Sequence, residues 1–91
     1  MKLFNSTDEK LKKIGFNKVA SDKFGVSYER VNDEFDYTQV LDIMHKKSGR
    51  HIMQSYQSDV NEDGFNNVVG LTRYEAKLCV KKMRELGFKS R

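Results

Sequence analysis

The sequence predicts a small α+β domain in the order α-β-β-β-α, with two helices packed on one face of a three-stranded antiparallel sheet. Near each end of the chain, a helix-capping motif precedes apolar residues at the three- and four-residue steps of one helix face. Between these segments, apolar and polar residues alternate with a period of two, which is typical of half-buried strands. The length of 91 residues fits one domain over residues 1–91.

The first helix is predicted to begin at a capping box formed by Ser6 and Glu9, in which each side chain accepts the backbone N–H of the other residue. Leu11 and Ile14 give this helix an apolar edge. Gly15-Phe16 predicts its end, because glycine adopts the left-handed conformation at a helix C-terminus and the next residue folds back on the last turn.

Three strands are predicted in the middle of the chain. The predicted strands cover Phe24–Glu29, Phe35–His45 and His51–Gln57. The segment Lys46–Arg50 is predicted to be a tight hairpin loop in which Gly49 supplies a positive φ. Residues 58–67 are polar and are predicted to form a loop.

The hairpin admits two registers. A three-residue turn, Lys47-Ser48-Gly49, places His45 directly opposite His51, where the two imidazoles could share a metal ion or titrate together. A two-residue turn instead pairs His45 with Ile52, and it places Ile52 on the same face as Leu41. The second register buries more apolar surface, and the sequence leaves both open.

The last helix is predicted to begin at a second capping box, Thr72 with Glu75, and to end at Gly87-Phe88, with Phe88 folded back on Met83. Its predicted buried stripe contains Ala76, Cys79, Val80, Met83 and Leu86. Tyr74 and Leu78 lie roughly opposite this stripe and are predicted to be exposed. They are therefore the candidate protein interface.

The sequence predicts a cytoplasmic protein that does not span a membrane. Cys79 is the only cysteine, so an intramolecular disulfide is impossible, and its place on the apolar stripe predicts a buried thiol. The chain contains no apolar run of membrane-spanning length. It also lacks a nucleophile–base pair, paired carboxylates in a catalytic pattern, and any cofactor motif, so we expect a protein that is not an enzyme and needs no cofactor.

Basic residues define a candidate nucleic-acid site. The net charge is +4, and four cations of the last helix share one side of it, away from the buried stripe. Three more cations surround the hairpin turn. The candidate phosphate-binding residues are Arg73, Lys77, Lys81 and Arg84 on the helix and Lys46, Lys47 and Arg50 at the turn.

The segment Asp59–Gly64 matches the first half of a calcium-binding loop, with oxygen-bearing side chains at alternate positions followed by glycine. The candidate metal ligands are Asp59, Asn61, Asp63 and Asn67. The twelfth position, where such loops carry a bidentate glutamate, is Gly70. The alternative interpretation is a solvated acidic turn.

Three segments carry a resemblance: Lys13-Ile14-Gly15-Phe16, Val26–Glu29 and Leu71–Phe88. Together they resemble small, largely uncharacterised proteins of phages and prophages of Gram-positive bacteria. The resemblance implies a small intracellular accessory protein and transfers no active site. The first functional hypothesis is therefore contact with another protein, including a homodimer, through Tyr74 and Leu78. A second possible contact surface is the open face of the sheet, which in one of the two hairpin registers carries residues such as Thr38, Val40 and Tyr56. Nucleic-acid binding and calcium binding are the alternatives.

Overall fold

The computed structural model describes residues 6–46 and 48–87. Its elements, in chain order, are α1 (Thr7–Lys13), β1 (Asn17–Asp22), β2 (Gly25–Asn32), β3 (Tyr37–His45), β4 (His51–Val60), β5 (Asn66–Val68) and α2 (Arg73–Glu85). The strands form one antiparallel sheet in the order β1-β2-β3-β4-β5. The predicted α+β class and both predicted helices are confirmed, whereas the predicted number of three strands is wrong.

The two additional strands, β1 and β5, lie at the edges of the sheet. Every residue of both strands is exposed, so neither carries the alternating apolar pattern that marks a half-buried strand. Backbone pairing with β2 and β4 holds them in place. The segment predicted to be a loop at residues 58–67 is in fact the end of β4, a turn and the start of β5.

Two strand boundaries also differ from the prediction. Phe24 lies in the β1–β2 turn, where its backbone N–H donates to Asp22, and β2 begins at Gly25. At that position only glycine fits, because a Cβ atom would lie 2.1 Å from the carbonyl oxygen of Ile43. Phe35 lies in the exposed β2–β3 turn, and β3 begins two residues later.

Both helices begin and end where local signals predict. Ser6 and Glu9 form the capping box of α1, and Thr72 and Glu75 form that of α2. Gly15 has a φ of +99° and Gly87 has a φ of +77°, the left-handed conformation that ends a helix. The predicted contact of Phe88 with Met83 lies outside the described residues.

The core lies between the two helices and one face of the sheet. Tyr28 of β2 and Leu41 and Ile43 of β3 pack against Leu11 of α1 and Cys79 of α2, and all five are buried. The helices run antiparallel: Thr7 at the start of α1 donates a hydrogen bond to Glu85 at the end of α2. Placement of both helices on one face is thus confirmed.

Helix α2 is rotated relative to the prediction. Leu78 is 4% exposed and belongs to the core, so its predicted exposure is wrong, whereas Val80 of the predicted buried stripe is 37% exposed. The physical reason is Glu75, which faces inward to bind the Arg30 guanidinium at 2.8 Å. When the side chain of residue 75 faces the sheet, the side chains of residues 78 and 79, one helical turn later, face the sheet as well.

The β3–β4 hairpin adopts the three-residue turn. Lys46 N–H donates to the Arg50 carbonyl at 2.8 Å, and His45 is paired with His51 across the two strands. Ile52 and Tyr56 therefore lie on the open face and not with Leu41. The loss of apolar burial is offset on the open face by Asp42, which accepts hydrogen bonds from Tyr56, Gln54 and Ser27.

The two ends of the sheet carry opposite charge. Because consecutive strands alternate in direction, every second turn lies at the same end. The β2–β3 and β4–β5 turns share one end and carry acidic residues, namely Asp33, Glu34, Asp36, Glu62 and Asp63. The β1–β2 and β3–β4 turns share the other end and carry Lys23, Lys46 and Arg50. Helix α2 runs from the level of Arg30 towards this basic end.

Candidate nucleic-acid interface

The outer face of α2 is a stripe of four cations. Arg73, Lys77, Lys81 and Arg84 are all exposed, and their spacing places them on one side of the helix, facing away from Leu78 and Cys79. From the first to the last of them the helix rises about 16 Å. None of the four forms an ion pair with another described residue. We call this set the basic stripe.

The carboxylates of α2 are engaged away from the basic stripe. Glu75 is buried and binds Arg30, and Glu85 accepts a hydrogen bond from Thr7 and lies 4.0 Å from Lys82. The anions of this helix are therefore directed to the sheet and to α1, and its outward charge is positive. A phosphate approaching from solvent meets the four cations of the basic stripe, and Glu85 is the one exposed carboxylate of α2.

A fifth cation joins the basic stripe from α1. The Lys81 ammonium lies beside Lys10, and its positive charge is the main reason that the pKa of Lys10 is lowered. Two ammonium groups held close together repel each other, and an anion placed between them relieves that repulsion. Lys10 was not predicted from the sequence, because its position depends on the antiparallel packing of two helices that are distant in the chain.

Tyr74 lies at the border of the basic stripe and is 52% exposed. Its predicted exposure is confirmed, but the buried Leu78 leaves it without the apolar neighbour of the predicted protein interface. An exposed tyrosine beside cations provides a surface on which an unpaired base can stack. Tyr74 therefore fits the basic stripe better than it fits an isolated apolar patch.

The turn cations are separate from the basic stripe. Lys46 and Arg50 are exposed at the end of the sheet towards which α2 runs, whereas Lys47 lies outside the described residues. The structure therefore places two of the three turn cations at the end of the molecule nearest the C-terminus of α2.

The candidate calcium ligands lie in the β4–β5 hairpin. Asn61 Oδ1 accepts the backbone N–H groups of Asp63 and Phe65 at 3.0 and 3.1 Å, and Asn67 Oδ1 accepts the Asn61 amide at 2.9 Å. Both amide oxygens that a cation would require are therefore engaged by N–H donors. Asp59 belongs to β4, and the part of the chain described here holds no cluster of three or more metal-binding side chains. The geometry is that of an asparagine-stabilised turn.

The open face of the sheet carries Thr38, Val40 and Tyr56, as expected for a second contact surface. Beside them lies a shallow cavity of about 170 Å³, bordered by Phe24, Met44 and Asp42. The hydrogen bond to Asp42, together with burial, raises the pKa of Tyr56 to about 12. The Tyr56 hydroxyl is thus a hydrogen-bond donor that holds the carboxylate.

Cys79 is fully buried, as predicted, and burial raises the pKa of its thiol to about 11. A buried protonated thiol is a poor nucleophile. It acts as a small apolar side chain in the core.

Comparison with known proteins gives no relative for this chain: no family model, curated protein or solved structure matches it. Neither of the two described helices has the length and apolar character needed to cross a bilayer.

Proposed function

We propose that this protein is a non-enzymatic binding protein that contacts nucleic acid through the basic stripe. The proposal rests on the distribution of charged side chains on α2. Four exposed cations share the outward face of this helix, and both of its carboxylates are engaged with the sheet or with α1. Such a surface is suited to the regularly spaced negative charges of a phosphate backbone.

The proposed ligand is single-stranded nucleic acid rather than a duplex. The basic stripe is short, at about 16 Å, and so reaches only a few successive phosphates. Tyr74, at its border, can stack on an unpaired base, a contact that is independent of sequence and that a duplex does not offer. Phosphate contacts supply the affinity, and the tyrosine supplies the preference for single strands.

The acidic end of the molecule limits where the nucleic acid lies. The β2–β3 and β4–β5 turns carry acidic residues, so a phosphate backbone is repelled from that end of the sheet. The favourable path therefore follows α2 towards Arg84 and the basic turns.

Fluorescence anisotropy with labelled single-stranded DNA, single-stranded RNA and duplex DNA tests the proposal. We expect tighter binding to single strands, with affinity falling about tenfold or more between 50 and 200 mM salt as counterions are recaptured. The double variant Lys77→Glu/Lys81→Glu should abolish binding at both salt concentrations. Tyr74→Ala should reduce the preference for single strands and leave the salt dependence unchanged.

The matched control is Lys12→Glu/Lys13→Glu, which makes the same change in net charge at two exposed positions of α1, outside the basic stripe and the basic turns. It should retain most of the affinity of the unmodified chain. Equal losses in the two double variants would show that net charge alone is responsible. Absence of binding at low salt would contradict the proposal and direct the search to a protein partner on the open face.

The earlier hypothesis of a protein interface formed by Tyr74 and Leu78 is not retained, since Leu78 is part of the core. The resemblance to small phage and prophage proteins remains a hypothesis. An accessory role without chemistry of its own is compatible with a small nucleic-acid-binding domain.

A further inference from the structure

The histidine pair of the β3–β4 hairpin has a geometry that the proposed nucleic-acid function does not use. His45 and His51 are the only histidines of the chain, and they occupy directly opposite positions on adjacent strands. Their Nδ1 atoms are 3.1 Å apart, and their ring centroids are 4.9 Å apart. Both side chains are only partly buried, so solvent and ions can reach them.

We propose that His45 and His51 form a bidentate site for a divalent transition-metal ion, with both Nδ1 atoms as ligands. Two nitrogens 3.1 Å apart that each bind a metal at about 2.0–2.1 Å subtend about 100° at the ion, which lies between square-planar and tetrahedral angles. The separation observed is thus the separation that such a chelate requires.

The chemistry of the ligands selects the class of ion. Neutral imidazole suits zinc, copper and nickel, whereas magnesium and calcium prefer oxygen ligands. In the structure the two Nδ1 atoms lie within hydrogen-bond distance, which requires one proton between two ring nitrogens. When a metal ion binds both Nδ1 atoms, the ring that carries this proton must hold it on Nε2 instead, so that both imidazoles bind in the neutral form.

The hairpin preorganises this site. The Lys46 N–H to Arg50 carbonyl bond closes the turn, and Gly49 supplies the positive φ of 88° that a three-residue loop needs. Because the register is fixed by the backbone, the two imidazoles can reach one ion by side-chain rotation alone, which turns each Nδ1 from the other ring towards the ion. Two protein ligands leave the remaining coordination positions to water or to a donor atom from a bound partner.

Isothermal titration of tag-free protein with zinc chloride and copper chloride at pH 7.5 tests this proposal. We expect one ion per chain, tighter binding of copper than of zinc, and no binding of magnesium. His45→Gln and His51→Gln should each weaken zinc binding at least about tenfold, because each removes one of two ligands.

Asp59→Asn/Asp63→Asn is the control, because it removes two carboxylates of the β4–β5 hairpin and leaves both histidines in place. Zinc affinity that survives either histidine substitution, or that is lost in this control, would overturn the proposal. A second measurement needs no substitution: in the NMR spectrum of the unmodified chain, the imidazole resonances of both histidines should shift together and saturate at one equivalent of zinc. If they are unmoved, the site does not exist.

Discussion

Asp8 is the residue at which both helices and the sheet are joined. It lies in the first turn of α1, where its carboxylate accepts hydrogen bonds from Tyr28 of β2 and Lys18 of β1 and pairs with Lys82 of α2 at 3.1 Å. Burial alone would raise the pKa of Asp8, but these hydrogen bonds and charges outweigh burial and lower it to about 2. Burial, together with the hydrogen bond to the same carboxylate, raises the pKa of Tyr28.

The lowered pKa of Asp8 makes the stability of the fold depend on pH. Because the folded-state value of about 2 lies below the ordinary 3.8, the stabilisation is complete above the ordinary value and is lost as pH falls towards 2. After allowance for solvent screening, we expect Asp8→Asn to lower the free energy of unfolding by about 1 kcal/mol at pH 7. This difference should shrink towards zero near pH 2.

Urea denaturation followed by circular dichroism at a series of pH values between 7 and 2 measures this effect. Asp33→Asn, at an exposed turn position, is the control and should change stability by less than about 0.5 kcal/mol. A constant difference between Asp8→Asn and the unmodified chain at every pH would show that the charge of Asp8 is not the cause.

The sequence predicts the interactions that a residue makes within its own helix turn or strand. It does not predict the interactions that the residue makes with elements distant in the chain. Asp8 was visible as an acid in the first turn of a helix, where negative charge is favourable. Its partners Tyr28 and Lys82 lie far along the chain and meet it only after the sheet and both helices have packed. No spacing rule connects residues at such separations, so neither the contacts of Asp8 with Tyr28 and Lys82 nor the proximity of Lys10 to Lys81 could be predicted.

At the scale of the element, α2 begins with a carboxylate that has two functions. Glu75 Oε1 accepts the Thr72 backbone N–H at 2.9 Å and completes the capping box, while Oε2 binds Arg30 at 2.8 Å. Arg30 also donates to the Ile14 carbonyl and to Gln39. One residue thus starts the helix and fixes its rotation over the sheet.

Glu75→Gln separates these two functions, because the amide oxygen can still cap the helix but carries no charge. We expect a loss of about 2–4 kcal/mol in the free energy of unfolding, since the Arg30 guanidinium keeps its charge in a mostly buried site without its counter-ion. Glu9→Gln, at the equivalent capping-box position of α1, should cost less than about 1 kcal/mol. Chemical denaturation compares them, and equal losses would show that capping alone matters.

Elements with strong local signals were predictable, and elements held by their neighbours were not. The capping boxes and terminal glycines fixed the bounds of both helices. The edge strands β1 and β5 have only exposed residues, and they exist because β2 and β4 offer them backbone partners. The candidate basic stripe was predictable from helical spacing, whereas the rotation of α2, which buried Leu78, depended on the distant Arg30.

At the scale of the whole molecule, stability should be distributed unevenly across the sheet. The buried apolar residues of the sheet lie in β2 and β3, whereas β1 and β5 contribute none. Amide hydrogen exchange should therefore be slowest in β2 and β3 and at least about 100-fold faster in β5, since local opening of an edge strand exposes little apolar surface. Mass spectrometry of peptic fragments measures this difference. Protection of β5 equal to that of β3 would show that the sheet opens only as one unit.

The order of the elements along the chain has a consequence for the protein as it is synthesised. Each strand pairs with the strand made just before it, so the sheet can form stepwise as the chain leaves the ribosome. Leu78 and Cys79, which cover Leu41 and Ile43, belong to α2 and emerge only after all five strands. Until then only α1 covers the apolar face of the nascent sheet, and this interval is when the chain is most exposed to aggregation or to capture by a chaperone.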